Sequence, residues 1–178
     1  NTLSHEFDTL QKNIELNNYP NIVATQIAVS DSRGRASIYL SSLDSGRHSM
    51  FQHGLPKRGS VQVETTTLDW FLETQDLPRV DLIKIDVEGA EVDVLDGMHH
   101  LLARSPHLKL IIEFNPTLLQ SAGVAPIDFL DKLRSLGFQP SNIDDPNGLS
   151  LVAETDSLSL INRLLTANSS ANLLCVKE

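Results

Sequence analysis

The stretch DLIKIDVEGAEVDVLDG, residues 81–97, decides the fold that the sequence predicts. Its first part, DLIKI, is a short apolar run that ends at Asp86, which is typical of a buried strand. The part that follows, VEGAEVDVLDGMHHLLAR (87–104), predicts a helix, because its apolar side chains fall on one face: Ala90, Val94, Leu95, Met98, Leu101 and Leu102. A buried strand that runs straight into a helix is the repeating unit of parallel α/β sheets.

Outward from this unit, strand and helix patterns alternate along the whole chain. Strands are predicted at NIVATQIAV (21–29), ASIYLS (36–41), VQVETTT (61–67), LKLIIEF (108–114), residues 138–143, 149–153 and NLLCVK (172–177). Helices are predicted over residues 4–18, 68–75, 127–137 and 157–165. Ser4 and Thr67 are expected to cap the first two of these helices, and Gly137 to end the third. The alternation predicts a parallel α/β sheet with helices on both faces.

Composition narrows the classes of function. The 178 residues fit one domain, and 14 Lys and Arg against 23 Asp and Glu give a formal charge of −9. A chain with this negative charge is repelled by the phosphate backbone of nucleic acids. We therefore do not expect nucleic acid as a partner. The single Cys175 excludes an internal disulfide and a cysteine zinc cluster, which fits a cytoplasmic location. No apolar run reaches the roughly 20 residues of a membrane span.

Acidic side chains follow two of the predicted strands. Asp86 and Glu88 follow DLIKI, and Glu113 and Asn115 lie at the end of LKLIIEF. Ligands bind beyond the carboxyl ends of parallel strands, so we expect Asp86 to point into a crevice there. Glu88 and Glu91 have an equal alternative as capping groups at a helix N-terminus. Glu113 could instead pair with a neighbouring lysine or arginine.

The run at residues 81–97 closely resembles the signature of FkbM-type methyltransferases. Further pieces match that family in the same order: FDTLQKNIELN (7–17), AVSDSRGRASIYLS (28–41), SGRHS (45–49), TTLD (66–69) and IIEFNP (111–116). The resemblance therefore covers nearly the whole chain.

The resemblance implies a Rossmann-like class I methyltransferase sheet, mostly parallel, with an antiparallel last strand. It also implies methyl transfer from S-adenosylmethionine, usually to a hydroxyl oxygen of a sugar or natural product. The family begins with a strand, a Gly-rich turn that cradles the cofactor, and a second strand tipped with an acid. None of these occurs in residues 1–178, so we expect a single partial domain that lacks its N-terminal cofactor-loop unit.

On the family template, the cofactor residues follow two strands. Ala28, Val29 and Ser30 would flank the adenine ring, and Asp31 would accept a hydrogen bond from its amino group. A plain turn acid in SDSRG is the alternative for Asp31. Asp86 and Val87 would lie near the methionine portion and the acceptor. The acceptor is expected to be a small molecule or a glycan, and the oligomeric state is left open.

The candidates for acid–base work on the acceptor hydroxyl are Asp86, Glu88, Glu113 and His48. His48 lies in a polar loop, residues 42–60, and histidine in general exchanges protons near neutral pH. A solvated loop histidine is the alternative. Ser45 and Ser49 could bond to a sugar hydroxyl if this loop closes over the site.

Other chemistries fit the sequence less well. No spacing demands a metal ion, although carboxylates suit Mg²⁺. The Asn115-Pro116 pair continues without aromatic residues, which disfavours methylation of an amino group. A nicotinamide dehydrogenase would need a Gly-rich fingerprint that the chain lacks. A non-catalytic binding module of Rossmann-like fold remains the alternative function.

Overall fold

A computed structural model of the chain describes residues 2–42, 48–51, 57–77, 79–144 and 148–177. The helices are α1 Thr2–Leu16, α2 Leu68–Thr74, α3 Glu91–Asp96, α4 His99–Arg104, α5 Pro116–Ser121, α6 Pro126–Ser135 and α7 Ser157–Ala167. The strands are β1 Ala28–Val29, β2 Gly34–Ser41, β3 Lys57–Thr66, β4 Leu82–Ile85, β5 Lys109–Phe114, β6 Phe138–Asp144, β7 Gly148–Leu151 and β8 Ala171–Lys177. None of the described helices has the length and apolar character needed to cross a bilayer.

A five-stranded sheet in the order β4-β5-β8-β6-β7 forms the centre of the molecule. β4 and β5 run parallel, as predicted for strands joined through helices. β8 lies between β5 and β6 and runs antiparallel to both, which confirms the predicted antiparallel last strand. β7 pairs antiparallel with β6 at the far edge.

The described strands form mixed sheets rather than the mostly parallel sheet that was predicted. Besides the central sheet, a three-stranded sheet has the order β1-β3-β2, in which β1 and β3 are parallel and β2 and β3 antiparallel. Only two of the six pairings between described strands are parallel. Strands such as β6 and β7 follow one another with short connections, and short connections reverse the chain direction. The fold is therefore mixed α/β.

The hydrophobic core lies between the five-stranded sheet and the helices that pack on it. Its largest fully buried side chains are Phe114, Phe129, Phe138, Leu95, Met98, Leu101, Leu108, Leu110, Ile112, Leu119, Leu130 and Leu133. The rings of Phe114 on β5 and Phe129 on α6 stack with their centroids 5.8 Å apart. This contact joins the sheet to its covering helix.

β4 is buried on one face only, contrary to the prediction that both faces are covered. Ile85 is buried, whereas Leu82 is 53% exposed and Lys84 is exposed. β4 is the first strand of the sheet, and among the described elements only β5 pairs with it. One face and one edge of this strand are thus open in the part of the chain that the structure describes.

The strand predicted at residues 21–29 is reduced to the two residues of β1. These residues pair with Thr65 and Thr66 of β3. A strand forms where a neighbouring strand supplies hydrogen bonds, and residues 22–27 have no strand partner among the described elements. Ile22 and Val23 are accordingly exposed.

The long helix predicted after β4 is broken into α3 and α4 at Gly97. A Cβ atom at Gly97 would lie 2.2 Å from the carbonyl oxygen of Ser30, so the two backbones approach more closely than any side chain allows. Asp69 of α2 stabilises the start of α4, because its carboxylate accepts hydrogen bonds from the backbone N–H groups of His100 and Leu101, both at 2.8 Å. The break is therefore dictated by tertiary contacts.

The predicted helix ends show which local signals suffice. The Thr67 side chain accepts a hydrogen bond from Trp70 at the start of α2, as predicted. Gly137, with φ +85°, follows Leu136, the C-cap residue of α6, and ends this helix as predicted. Ser4 is not a cap, because α1 begins at Thr2 and already includes it. Asn115 caps α5, a helix that the sequence analysis did not predict.

Candidate active site

A tight turn joins β4 to α3 and carries the acids of the signature. Asp86 follows the strand directly, and Ala90 is the residue before the first turn of α3. Between them, Glu88 has φ +52° and Gly89 has φ +101°. The helix thus begins later than predicted, and Glu88 lies in the turn rather than at the helix N-terminus.

Three carboxylates meet at the ends of β4 and β5. Asp86, Glu88 and Glu113 each offer one oxygen, and these oxygens all lie within 4.8 Å of one another. The cause is the parallel pairing, in which Ile85 lies opposite Ile112 and both strands therefore end at the same edge. The three candidate acids therefore lie together at this edge, and their catalytic roles remain predictions.

Two neighbours that the sequence analysis missed donate hydrogen bonds to these carboxylates. Lys84 donates a hydrogen bond to Oδ2 of Asp86, since residues two apart in a strand lie on the same side. Ser170, just before β8, donates to Oε1 of Glu113 at 2.6 Å. Glu113 thus bonds to a hydroxyl rather than to the lysine or arginine considered above. The period of two along β4 was a signal for Lys84, whereas no local signal indicates Ser170.

Glu91 is a fourth acid, and it is buried beside the cluster. Its side chain accepts a hydrogen bond from the backbone N–H of Gly89 at 3.2 Å, and only 3% of its surface is exposed. Burial raises the pKa of Glu91, the nearby negative charge of Glu113 adds to the rise, and hydrogen bonds from backbone N–H groups oppose it. Glu91 therefore stabilises the turn through a buried hydrogen bond to its backbone.

Ser49 approaches the same turn from the segment 48–51. Its backbone pairs with Tyr39 of β2. Its hydroxyl donates a hydrogen bond to the carbonyl oxygen of Glu88 at 2.6 Å and accepts one from the backbone N–H of Phe51 at 3.1 Å. The hydroxyl predicted to contact a sugar is thus directed at the turn that holds Glu88. Ser45, predicted for the same task, lies outside the described residues.

The His48 side chain is only 7% exposed rather than solvated, and it faces the N-terminal helix. Its Nδ1 accepts a hydrogen bond from the backbone N–H of Ser41 at 3.1 Å. Its Nε2 lies 3.4 Å from the carboxylate of Glu6 on α1, without hydrogen-bond geometry toward any described residue. The contacts of the ring are therefore to β2 and α1, and the role of His48 as a base remains a prediction.

The end of β1 carries the residues expected at the adenine. Ala28 and Val29 are half-buried, and Ser30 is buried where Gly97 packs on its carbonyl oxygen. Asp31 is exposed, and its Oδ1 accepts hydrogen bonds from the hydroxyls of Ser30 at 3.3 Å and Ser32 at 2.7 Å. These bonds suit a turn acid and leave the carboxylate accessible to solvent.

Comparison with known proteins identifies the family. The model of the methyltransferase FkbM domain matches residues 3–140. The chain belongs to the FkbM methyltransferase domain family. The matched region of this FkbM domain includes β1 to β5 and the three clustered carboxylates, and it ends within β6.

Two curated relatives share parts of this FkbM domain. Methyltransferase 1 of Beauveria bassiana (strain ARSEF 2860) is 34% identical over 110 residues, which are 52% of this chain and 44% of the relative. The hexuronic acid methyltransferase AglP of Haloferax volcanii is 36% identical over 50 residues, which are 28% of this chain and 21% of the relative. The matches span less than half the length of either relative. No solved structure matches the chain.

The donor set of the FkbM domain also has the chemistry of a cation site. Three carboxylate oxygens within 4.8 Å of one another could hold a hard divalent ion such as Mg²⁺. One oxygen of Asp86 already bonds to Lys84, and one of Glu113 bonds to Ser170. Exposed acidic groups often cluster without an ion, so the cluster alone does not assign a metal.

Proposed function

We propose that the full-length protein transfers a methyl group from S-adenosylmethionine to a hydroxyl oxygen of a sugar or natural-product acceptor. The observation that carries the proposal is the cluster of Asp86, Glu88 and Glu113 at the ends of β4 and β5 in a chain of the FkbM family. A sugar acceptor is supported by the relative named as a hexuronic acid methyltransferase.

The complete domain is, on this proposal, a Rossmann-like sheet with further strands beside β4. The open edge of β4, the exposed face at Leu82 and the exposed Val23 support it, because each offers apolar surface or backbone groups that a neighbouring strand would cover. Residues 1–178 would then be a partial domain, with the Gly-rich turn on a strand that packs there.

The cofactor supplies an electrophilic methyl group bonded to a sulfonium sulfur. Asp31 and Ser30 would hold its adenine, with Ala28 and Val29 against the ring. The exposed carboxylate of Asp31 fits an acceptor for the amino group. Asp86, with Val87 beside it, would lie toward the methionine portion at the end of β4.

The carboxylates orient the acceptor and receive its proton. Oδ2 of Asp86 bonds to Lys84, so the other oxygen, Oδ1, is the one that takes up the hydroxyl proton. Glu88 and Glu113 accept hydrogen bonds from hydroxyls of the acceptor and so fix its angle. Alignment of the reacting groups contributes much of the rate in displacements of this kind.

The test is Asp86→Asn in the full-length protein, assayed with labelled donor against a panel of hydroxylated sugars that includes hexuronic acids. Loss of the proton acceptor is expected to slow methyl transfer by about 100-fold or more with thermal unfolding unchanged. Asp81→Asn is the matched control, because Asp81 lies before β4 and pairs with Arg79. Unchanged turnover in Asp86→Asn would remove this residue from the mechanism, and donor binding without any transfer would favour a binding module.

A further inference from the structure

We propose that Ser49 and Glu91 are positioning residues that hold the peptide between Glu88 and Gly89 from its two sides, and so keep the Glu88 carboxylate beside Asp86 and Glu113. The proposal rests on the proposed function for the role of the three carboxylates. Its structural part stands on contacts of the turn alone.

The backbone at Glu88 needs external support. Its φ of +52° lies in the left-handed region, which is unfavourable for a residue that has a Cβ atom. Such conformations persist where surrounding contacts fix them, and they are common at functional sites. Gly89, which tolerates its φ of +101°, allows the turn but does not by itself determine where Glu88 points.

The two hydrogen bonds act on one planar unit. The carbonyl of Glu88 and the N–H of Gly89 belong to the same peptide, and in a trans peptide they point in opposite directions. Ser49 donates to that carbonyl at 2.6 Å, and Glu91 accepts from that N–H at 3.2 Å. Rotation of the peptide would break both bonds at once.

Both supporting side chains are well placed to resist such a rotation. Ser49 is 2% exposed and Glu91 is 3% exposed, so water cannot readily replace either bond. Ser49 is fixed to β2 through its pairing with Tyr39, and Glu91 is the first residue of α3. The Glu88 carboxylate is therefore oriented by two separate elements, and the segment 48–51 is coupled to the carboxylate cluster.

A double-mutant cycle in the full-length protein tests the functional part. Ser49→Ala is expected to lower kcat about tenfold, as loss of the buried hydrogen bond to the Glu88 carbonyl suggests, with KM for the donor nearly unchanged. In a Glu88→Ala background the same change should have no further effect, because its action passes through Glu88. Ser121→Ala, which removes an exposed hydroxyl on α5, is the matched control. Full kcat in Ser49→Ala, or an equal loss in both backgrounds, would overturn the proposal.

Glu91 offers a test by conservative rescue. Glu91→Gln keeps an oxygen that can accept from Gly89, so kcat should stay within about threefold of wild type, whereas Glu91→Ala should fall about tenfold or more. Equal activity of the two variants would contradict the positioning role. If Glu91→Ala does not fold, Ser49→Ala still decides the matter.

Crystal structures of Ser49→Ala and Glu91→Ala give a readout that does not depend on activity. We expect the 88–89 peptide to rotate and the Glu88 carboxylate to leave Asp86 and Glu113. Retention of the positive φ at Glu88 in both variants would refute the proposal even in an active enzyme. Absence of methyl transfer in the wild-type protein would instead refute the proposed function and leave this structural test standing.

Discussion

The molecule has two halves: an N-terminal half with α1 and the three-stranded sheet, and a C-terminal half with the five-stranded sheet. The halves differ in how completely their apolar side chains are buried. Around the five-stranded sheet, aromatic and aliphatic side chains such as Phe129 and Ile112 are fully buried. In α1 and the segment that follows it, Leu16, Tyr19 and Val23 are exposed, Val23 by 85%. Both regions have apolar patterns that predict regular structure. The difference shows that such a pattern yields a packed element only where a neighbouring element covers it.

The candidate site lies where these halves meet. Asp86 and Glu113 end strands of the well-packed sheet, whereas Ser49, which bonds to the turn at Glu88, comes from the side of the three-stranded sheet. The site therefore draws its geometry from both halves, and each can be perturbed separately.

The largest expected effect is a difference in unfolding free energy between one substitution in each half. Phe129→Ala removes a fully buried ring that stacks on Phe114, and it should lower the free energy of unfolding by about 3–5 kcal/mol. Tyr19→Ala, at a residue that is 53% exposed, should change it by less than about 0.5 kcal/mol. Urea denaturation of both variants measures the contrast. Similar losses would mean that the N-terminal half is packed as firmly as the rest.

A smaller effect tests the contact that joins the halves. Gly97→Ala places a Cβ atom 2.2 Å from the backbone oxygen of Ser30, and this overpacking should cost about 3 kcal/mol of unfolding free energy. Gly123→Ala has open space but φ +83°, so it should cost only about 1 kcal/mol. Denaturation midpoints of the pair distinguish close approach from backbone strain. A larger loss in Gly123→Ala would show that the two segments separate easily.

The smallest expected effect is a pH-dependent change in stability on substitution of Glu91. Because burial raises its pKa above the ordinary 4.5, the folded protein keeps this proton at pH values where the unfolded chain has lost it. The stability that the protonated carboxyl contributes is complete below pH 4.5 and is lost as pH rises through the folded pKa. Glu91→Gln cannot ionise, so its melting temperature relative to wild type should increase from pH 4 toward pH 8.

The exposed Glu73→Gln on α2 controls for the loss of one negative charge. A melting-temperature difference between Glu91→Gln and wild type that stays constant with pH would mean that burial of this carboxylate is not costly.

The meeting of the three acids follows from local signals in the sequence. An apolar strand ending in Asp86, a second ending near Glu113, and the rule that parallel strands end at one edge suffice to bring the acids together. The predicted strands at residues 36–41 and 61–67 and the Thr67 cap also depend on short-range patterns, and all three are confirmed.

The remaining features depend on contacts between residues far apart in the chain. The break at Gly97 follows from the carbonyl of Ser30, and the bond to Glu113 comes from Ser170, 57 residues away. The bond from Ser49 to Glu88 likewise spans 39 residues. The one-sided burial of β4 depends on which neighbours surround it, which its own apolar residues do not reveal. The family resemblance predicted a mostly parallel sheet, but the order of the last strands makes the sheet mixed.

The position of β8 has a consequence for the order in which the five-stranded sheet can assemble. β8 follows both β5 and β6 in the chain, yet it pairs with β5 on one side and β6 on the other. Until β8 docks, the described strands of this sheet can form only separate β4–β5 and β6–β7 ladders. The five-stranded sheet can therefore close only when residues 171–177 are in place, so we expect this strand to join the two ladders late in folding.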